Sequence, residues 1–246
     1  MKQPEMILFD YGHTLVFEPS FDLPAGFRAV LALCEANPRR VTAEDLSGAY
    51  AEALKRLMAA SRQAECDFMD MAVKRLIYDR LGLCFSREPL ELERVFWDAA
   101  GPGTPMPGIE ALLTELRRRG IRTGVVSNMN FREETVRGRI DRLLPGNGLE
   151  FVLCSCEYAT RKPRRDFFDL ALARAGLESS RVWYCGDNPR CDVLGAWEAG
   201  LTPVWYDHEL SCPYRSEGDR VSLDDAACLR IRDWSELLPA LDRAER

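Results

Sequence analysis

At 246 residues the chain can bury a core without covalent staples, and with 46% hydrophobic and 29% charged residues its composition is that of an ordinary globular protein. With a net charge of −6, nothing in it resembles the basic face that a nucleic-acid binder needs, and no apolar run approaches the ~18 residues of a membrane span. The N-terminus carries no basic, apolar and cleavage-site succession of the kind that marks a signal peptide.

The first element is a strand, Met6–Phe9, four apolar residues that deliver Asp10 and then the small or polar run Gly12, His13, Thr14. A carboxylate at the end of a buried strand is costly unless something uses its charge. Further strands are expected at Thr123–Ser127, Phe151–Cys154, Val182–Cys185 and Pro203–Tyr206, each short, apolar and followed by a polar or glycine-containing loop. Helical patterns alternate with them at Ile109–Arg119, Glu133–Leu143, Asp166–Ala175 and Asp192–Ala199. That alternation predicts an α/β fold, a Rossmann-like parallel sheet, with ligands bound beyond the carboxyl ends of its strands.

Residues 17–103 break the rhythm with four helical patterns and no convincing strand. Phe27, Val30 and Leu31 belong to the first. Leu46, Tyr50, Ala53, Leu54, Leu57 and Met58 form the second, with Thr42 as its N-cap. Met69, Val73, Leu76, Ile77 and Leu81 form the third, and Leu92, Val95, Phe96 and Ala99 the fourth. The stretch GPGTPMPG, 101–108, reads as a hinge. The expected organisation is a discontinuous α/β core, 1–16 and 104–246, with an inserted all-helical cap domain, 17–103.

The strand ends collect the chemistry. Asp10 ends the first, Ser127-Asn128 the second; Lys162-Pro163 follows the third, and GDNPRCD, with Asp187 and Asp192, follows the fourth. Carboxylates, one ammonium and one hydroxyl on a single sheet edge suit a hard cation, Mg²⁺, and an anion such as a phosphoryl group. Of the 33 basic residues, 29 are Arg and only four are Lys, so Lys162 marks a place that needs a compact ammonium. Lys55 and Lys74 read as solvated helix-face residues. The nine cysteines are scattered, with Cys154 and Cys156 on one face of a strand; they read as small apolar side chains in a reducing cytoplasm.

The pieces FDYGHTL, GVVSN, RKP and YCGDNPRCDVLGAWEAGL, in that order, resemble the haloacid dehalogenase superfamily, most of whose members are phosphatases. The resemblance implies an Asp10 nucleophile that forms an aspartyl-phosphate, with Ser127, Asn128 and Lys162 on the phosphoryl group. It implies Mg²⁺ held by Asp10, the Gly12 carbonyl and Asp187, with Asp192 as a further ligand or as the group that positions Lys162. The substrate would be a small phosphorylated metabolite.

One position departs from the pattern. The usual phosphatase string is D-x-D-x-T, whose second Asp is the general acid and base; here it is D-Y-G-H-T, and Gly12 cannot do that work. His13, a cap acid or an activated substrate would have to compensate. The alternative is a weak or inactive member that binds a phosphorylated ligand or a partner protein. Halide displacement is disfavoured by Asp187, and a phosphonoacetaldehyde-hydrolase chemistry by the lack of that family's cap motif around Lys55 and Lys74.

Overall fold

The computed structural model describes residues 2–210, 221, 223 and 228–245. Strand β1, Met6–Phe9, is fully buried. Its side chains alternate between two cores: Ile7 and Phe9 face one, Met6 and Leu8 the other. A strand covered on both faces has no polar face to show, which explains the unbroken apolar run. Beside it in one parallel sheet lie β4 (Arg122–Ser127), β5 (Val152–Cys154), β6 (Val182–Gly186), β7 (Thr202–Tyr206) and β8 (Leu229–Ile231), in the order β5-β4-β1-β6-β7-β8. Helices α5 (Ile109–Arg118), α6 (Glu133–Leu143), α7 (Arg165–Ala175) and α8 (Gly195–Glu198) lie between the strands in sequence, and α9 (Leu237–Arg243) closes the chain. Strand β8 escaped the sequence reading because it has three residues, of which Arg230 is exposed, too few to set a period.

Between β1 and β4 the chain makes a two-residue strand β2 (Val16–Phe17), then helices α1 (Leu23–Leu31), α2 (Ala43–Ala64), α3 (Asp70–Leu81) and α4 (Pro89–Ala100), and returns through β3 (Thr104–Pro105). Strands β2 and β3 pair antiparallel, so the chain leaves and re-enters side by side. This small two-stranded pair was not expected; two residues leave no alternation to read. Thr42 does cap α2, in a reciprocal capping box with Asp45.

Helix α3 corrects two sequence expectations. Met69 and Leu76, assigned to its apolar stripe, are 40% and 59% exposed. Lys74, expected in solvent, is fully buried, paired with Asp70 and 3.1 Å from the centroid of the Phe96 ring. The helix is rotated so that its Asp70–Lys74 pair, one turn apart, faces inward, with Tyr50 donating to Asp70. In sequence an i,i+4 acid–base pair looks like surface decoration. Burial pulls the Lys74 ammonium below the ordinary lysine range, and Asp70 opposes that.

Cys154 ends β5 and Cys156 lies in the 3₁₀ turn that follows, so the two do not share a strand face as expected. The eight cysteines among the described residues are free thiols, and Cys212 lies outside those residues. Among the described residues no helix is long and apolar enough to cross a membrane.

Candidate active site

The carboxyl ends of β5, β4, β1 and β6, four neighbours in the sheet, meet at one cavity of about 740 Å³. Asp10 follows β1 directly, and its backbone N–H donates to the Cys185 carbonyl of β6. Ser127, the last residue of β4, donates its hydroxyl to Asp10 Oδ1 at 2.9 Å. Lys162, in the loop after β5, is buried at the centre. Its Nζ donates to Asp10 Oδ1 at 2.7 Å, to Asp192 Oδ1 at 2.7 Å and to the Tyr184 hydroxyl at 2.6 Å. All three ammonium protons are therefore committed. Burial opposes the charge on Lys162, but Asp10 and Asp192 outweigh it and hold the ammonium above the ordinary lysine range.

Asp192 sits in a π-helical turn, Pro189–Leu194, and its Oδ2 accepts from the Asn188 N–H at 2.8 Å. Asn188, not an acid, caps that turn, accepting from the N–H groups of Arg190 and Cys191. Gly186, the end of β6, admits Asp192: a Cβ there would lie 2.3 Å from the Asp192 Cγ. Carboxylate oxygens of Asp10, Asp187 and Asp192 lie within 4.8 Å of one another, and all three residues are buried. An all-oxygen donor set of this kind fits a hard divalent cation.

The remaining sequence candidates fall around this centre. Asn128 lines the cavity, but its side chain is spent on the main chain of Lys162, with Nδ2 donating to the carbonyl at 2.9 Å and Oδ1 accepting from the N–H at 2.7 Å. Gly12 opens the turn into β2, and a Cβ added to it would meet nothing within 4 Å. His13 lies in the left-handed backbone region, φ 55°, and is buried. Its ring stacks on His208 with centroids 5.9 Å apart, and His208 Nε2 lies 3.9 Å from Asp187 Oδ2. The two histidines of the chain thus meet beside Asp187.

Sequence reasoning missed several residues. Tyr184 hides in the apolar run of β6, where only a polar atom in a buried strand marks it; its hydroxyl donates to the Val126 carbonyl. The helical insert supplies Met58, Arg62, Glu65, Asp67 and Trp97 to the cavity wall. Asp67, between α2 and α3, ties the insert to the sheet side. It accepts from Ser61 at 2.8 Å, from Ser155 at 2.6 Å and from Arg161 at 2.9 Å. Glu18, just past β2, is buried in the same cavity and pairs with Arg139 at 3.1 Å.

Residues 5–200 match the family model of haloacid dehalogenase-like hydrolases. The chain is 35% identical over 138 residues to a phosphoserine phosphatase of Thermus thermophilus, 54% of this chain and 50% of that one. It is 33% identical over 120 residues to pyrimidine 5'-nucleotidase YjjG of Escherichia coli, 48% of this chain and 52% of that one. The matches thus span about half the length of these curated relatives. In three dimensions a HAD phosphatase from Thermococcus onnurineus covers all of both chains at a TM-score of 0.62 and 19% identity, a likeness of fold.

Proposed function

Since this chain belongs to the haloacid dehalogenase-like hydrolases, we propose that it is a Mg²⁺-dependent phosphatase that hydrolyses a small phosphorylated metabolite through an aspartyl-phosphate on Asp10. The observation that carries this reading is the meeting of Asp10, Lys162, Asp187 and Asp192 at one buried point. The relatives named above act, by their names, on phosphoserine and on pyrimidine nucleotides. Asp187 favours phosphoryl transfer over halide displacement, as the sequence expectation has it.

In this proposal Asp10, Asp187, Asp192 and the Gly12 carbonyl hold the cation, which supplies the positive charge that lets a carboxylate approach a phosphate dianion. Lys162 adds a fixed ammonium 2.7 Å from Asp10 Oδ1. It also keeps Asp10 Oδ1 occupied, which leaves Oδ2 as the attacking atom. Ser127 orients the same oxygen. Asn128 acts through Lys162, whose main chain it holds at both ends. Segment 17–103 serves as the cap: it closes the cavity and sets which leaving group fits. A cytoplasmic setting belongs to the same proposal, supported by the odd number of scattered cysteines.

The test is phosphate release with Mg²⁺ from an aryl phosphate, acetyl phosphate and a panel of alkyl phosphates, with Asp10→Asn as control. Release by the wild type that Asp10→Asn abolishes supports the reading. No release from any substrate supports the alternative of a ligand-binding member, which Gly12 keeps open.

A further inference from the structure

Gly12 leaves the leaving-group oxygen without a proton source on the nucleophile turn. The cavity wall offers a short choice of replacements. Asp10, Asp187 and Asp192 form the cation and lysine cluster. Asp67 accepts from three donors, Ser61, Ser155 and Arg161, and is taken up in tying the helical insert to the sheet side. Glu65 faces Arg190 at 3.4 Å, with both side chains more than a third exposed. His13 is folded back onto His208. Glu18 remains. It is the first residue after β2, it is buried, and it shares the cavity with Asp10. Gly12 bridges to Val16, two residues before Glu18.

We infer that Glu18 is the general acid and base of this site, supplying the proton that the side chain missing at Gly12 would otherwise give. The inference rests on the phosphatase reading above. In the first half-reaction a bond forms between Asp10 and phosphorus, the ester P–O bond breaks, and the Glu18 proton passes to the departing alcohol oxygen. In the second, water attacks the phosphorus of the aspartyl-phosphate, its proton passes to the Glu18 carboxylate, and the bond to Asp10 breaks. Alcohol and inorganic phosphate leave, and both side chains return to their starting state.

The surroundings of Glu18 suit the role. Tyr11 faces it from the turn after β1 (3.5 Å), Trp97 from α4 and Arg139 from α6. Arg139 would hold a carboxylate ionised, but its charge is shared: Nη1 bonds Asp98 at 2.7 Å, and Nη2 also reaches the Gly101 carbonyl. Burial prevails over Arg139 and pushes the Glu18 carboxyl up to about 7. A carboxylic acid that keeps its proton near neutrality, across one cavity from a carboxylate fixed by a lysine, is the division of labour that two-carboxylate hydrolases use.

The experiment is kcat against pH for wild type and Glu18→Gln on p-nitrophenyl phosphate and glycerol 2-phosphate, with Mg²⁺. The amide keeps acceptors for Tyr11 and Arg139, and a thermal melt checks the fold. A phenolate leaves with little help and an alkoxide does not. Glu18→Gln is therefore expected to lose on the order of 100-fold or more on the alkyl ester and under about 10-fold on the aryl ester. The fall of alkyl turnover above a pH of about 7 should vanish with it. Gly12→Asp placed in the Glu18→Gln background should recover alkyl turnover. Equal losses on both esters, no loss on either, or a wild type confined to activated phosphates would each overturn the assignment. If Glu18→Gln fails to fold, the wild-type dependence on leaving-group basicity decides: a shallow slope supports an acid and a steep one excludes it. A wild type that releases no phosphate removes the phosphatase reading itself, a result distinct from turnover that ignores Glu18.

Discussion

Lys162 Nζ lies 2.7 Å from Asp10 Oδ1, although 152 residues separate them in the chain. The same nitrogen bonds Asp192 at the same distance, so one buried ammonium is the shared countercharge of two carboxylates. Lys162→Met would leave those carboxylates crowded with Asp187 and without a countercharge. In metal-free buffer we expect a loss of about 3 kcal/mol or more in urea unfolding, because breaking a buried ion pair strands its partner. Added Mg²⁺ should restore part of that stability while turnover stays lost. Lys162→Arg should not rescue turnover, since a planar guanidinium cannot place three convergent donors on one nitrogen. A variant as stable as wild type without metal would contradict this account.

Two glycines of the site should respond in opposite ways to the same methyl group. At Gly12 a Cβ meets nothing within 4 Å, and the backbone there is not in the left-handed region. Gly12→Ala should therefore melt within a few degrees of wild type. At Gly186 a Cβ would lie 2.3 Å from the Asp192 Cγ. Gly186→Ala should cost about 1–3 kcal/mol by overpacking, and should lower turnover by displacing Asp192 from Lys162. Thermal melts of the two variants side by side check the contrast; equal shifts would refute it.

Gly12 also shows where sequence reading reaches and where it stops. The strand-end residues Asp10, Ser127, Lys162, Asp187 and Asp192 were legible because each ends an apolar run or sits in the loop that follows one, and parallel strands bring such ends together. The open space around Gly12 was not legible, because it is a property of neighbours that no local pattern records. His208 and Glu18 escaped notice for a related reason. Each reaches the site through a contact across the fold, His208 against His13 and Glu18 against Arg139, whose partners are 121 or more residues away. The β2/β3 pair was too short to have a period. Lys74 was misread because an i,i+4 pair carries no sign of which way its helix faces.

Lys74 makes a third expectation. Its ammonium lies against the Phe96 ring, with Asp70 as its ion-pair partner and the Phe131 ring 5.2 Å away. Lys74→Met keeps the volume but leaves Asp70 with the Tyr50 hydroxyl. The expected cost is about 3 kcal/mol, read as a lowered urea midpoint. Asp70→Asn added to Lys74→Met should recover a good part of it, because the stranded charge is gone. A surface lysine would give a change within about 0.5 kcal/mol, so a small effect would return Lys74 to solvent.

The last expectation concerns stability and Glu18 alone, apart from turnover. Its carboxyl is pushed up to about 7 in the folded protein by burial, against Arg139, and the unfolded chain has the ordinary value of 4.5. A raised folded value means the folded state binds this proton more tightly. The resulting stabilisation is complete below about 4.5 and is lost as pH rises through about 7. Between those limits the unfolded chain gives up the proton first, so Glu18 tilts stability downward with increasing pH. Glu18→Gln cannot titrate. Its stability relative to wild type should therefore rise steadily across that window, by an amount on the order of a few kcal/mol, and stay level on either side of it. Urea unfolding of both proteins at half-unit steps of pH, without metal, reads the difference directly. A difference that stays constant across the window would mean that Arg139 keeps Glu18 ionised throughout, and a permanently ionised Glu18 has no proton to give.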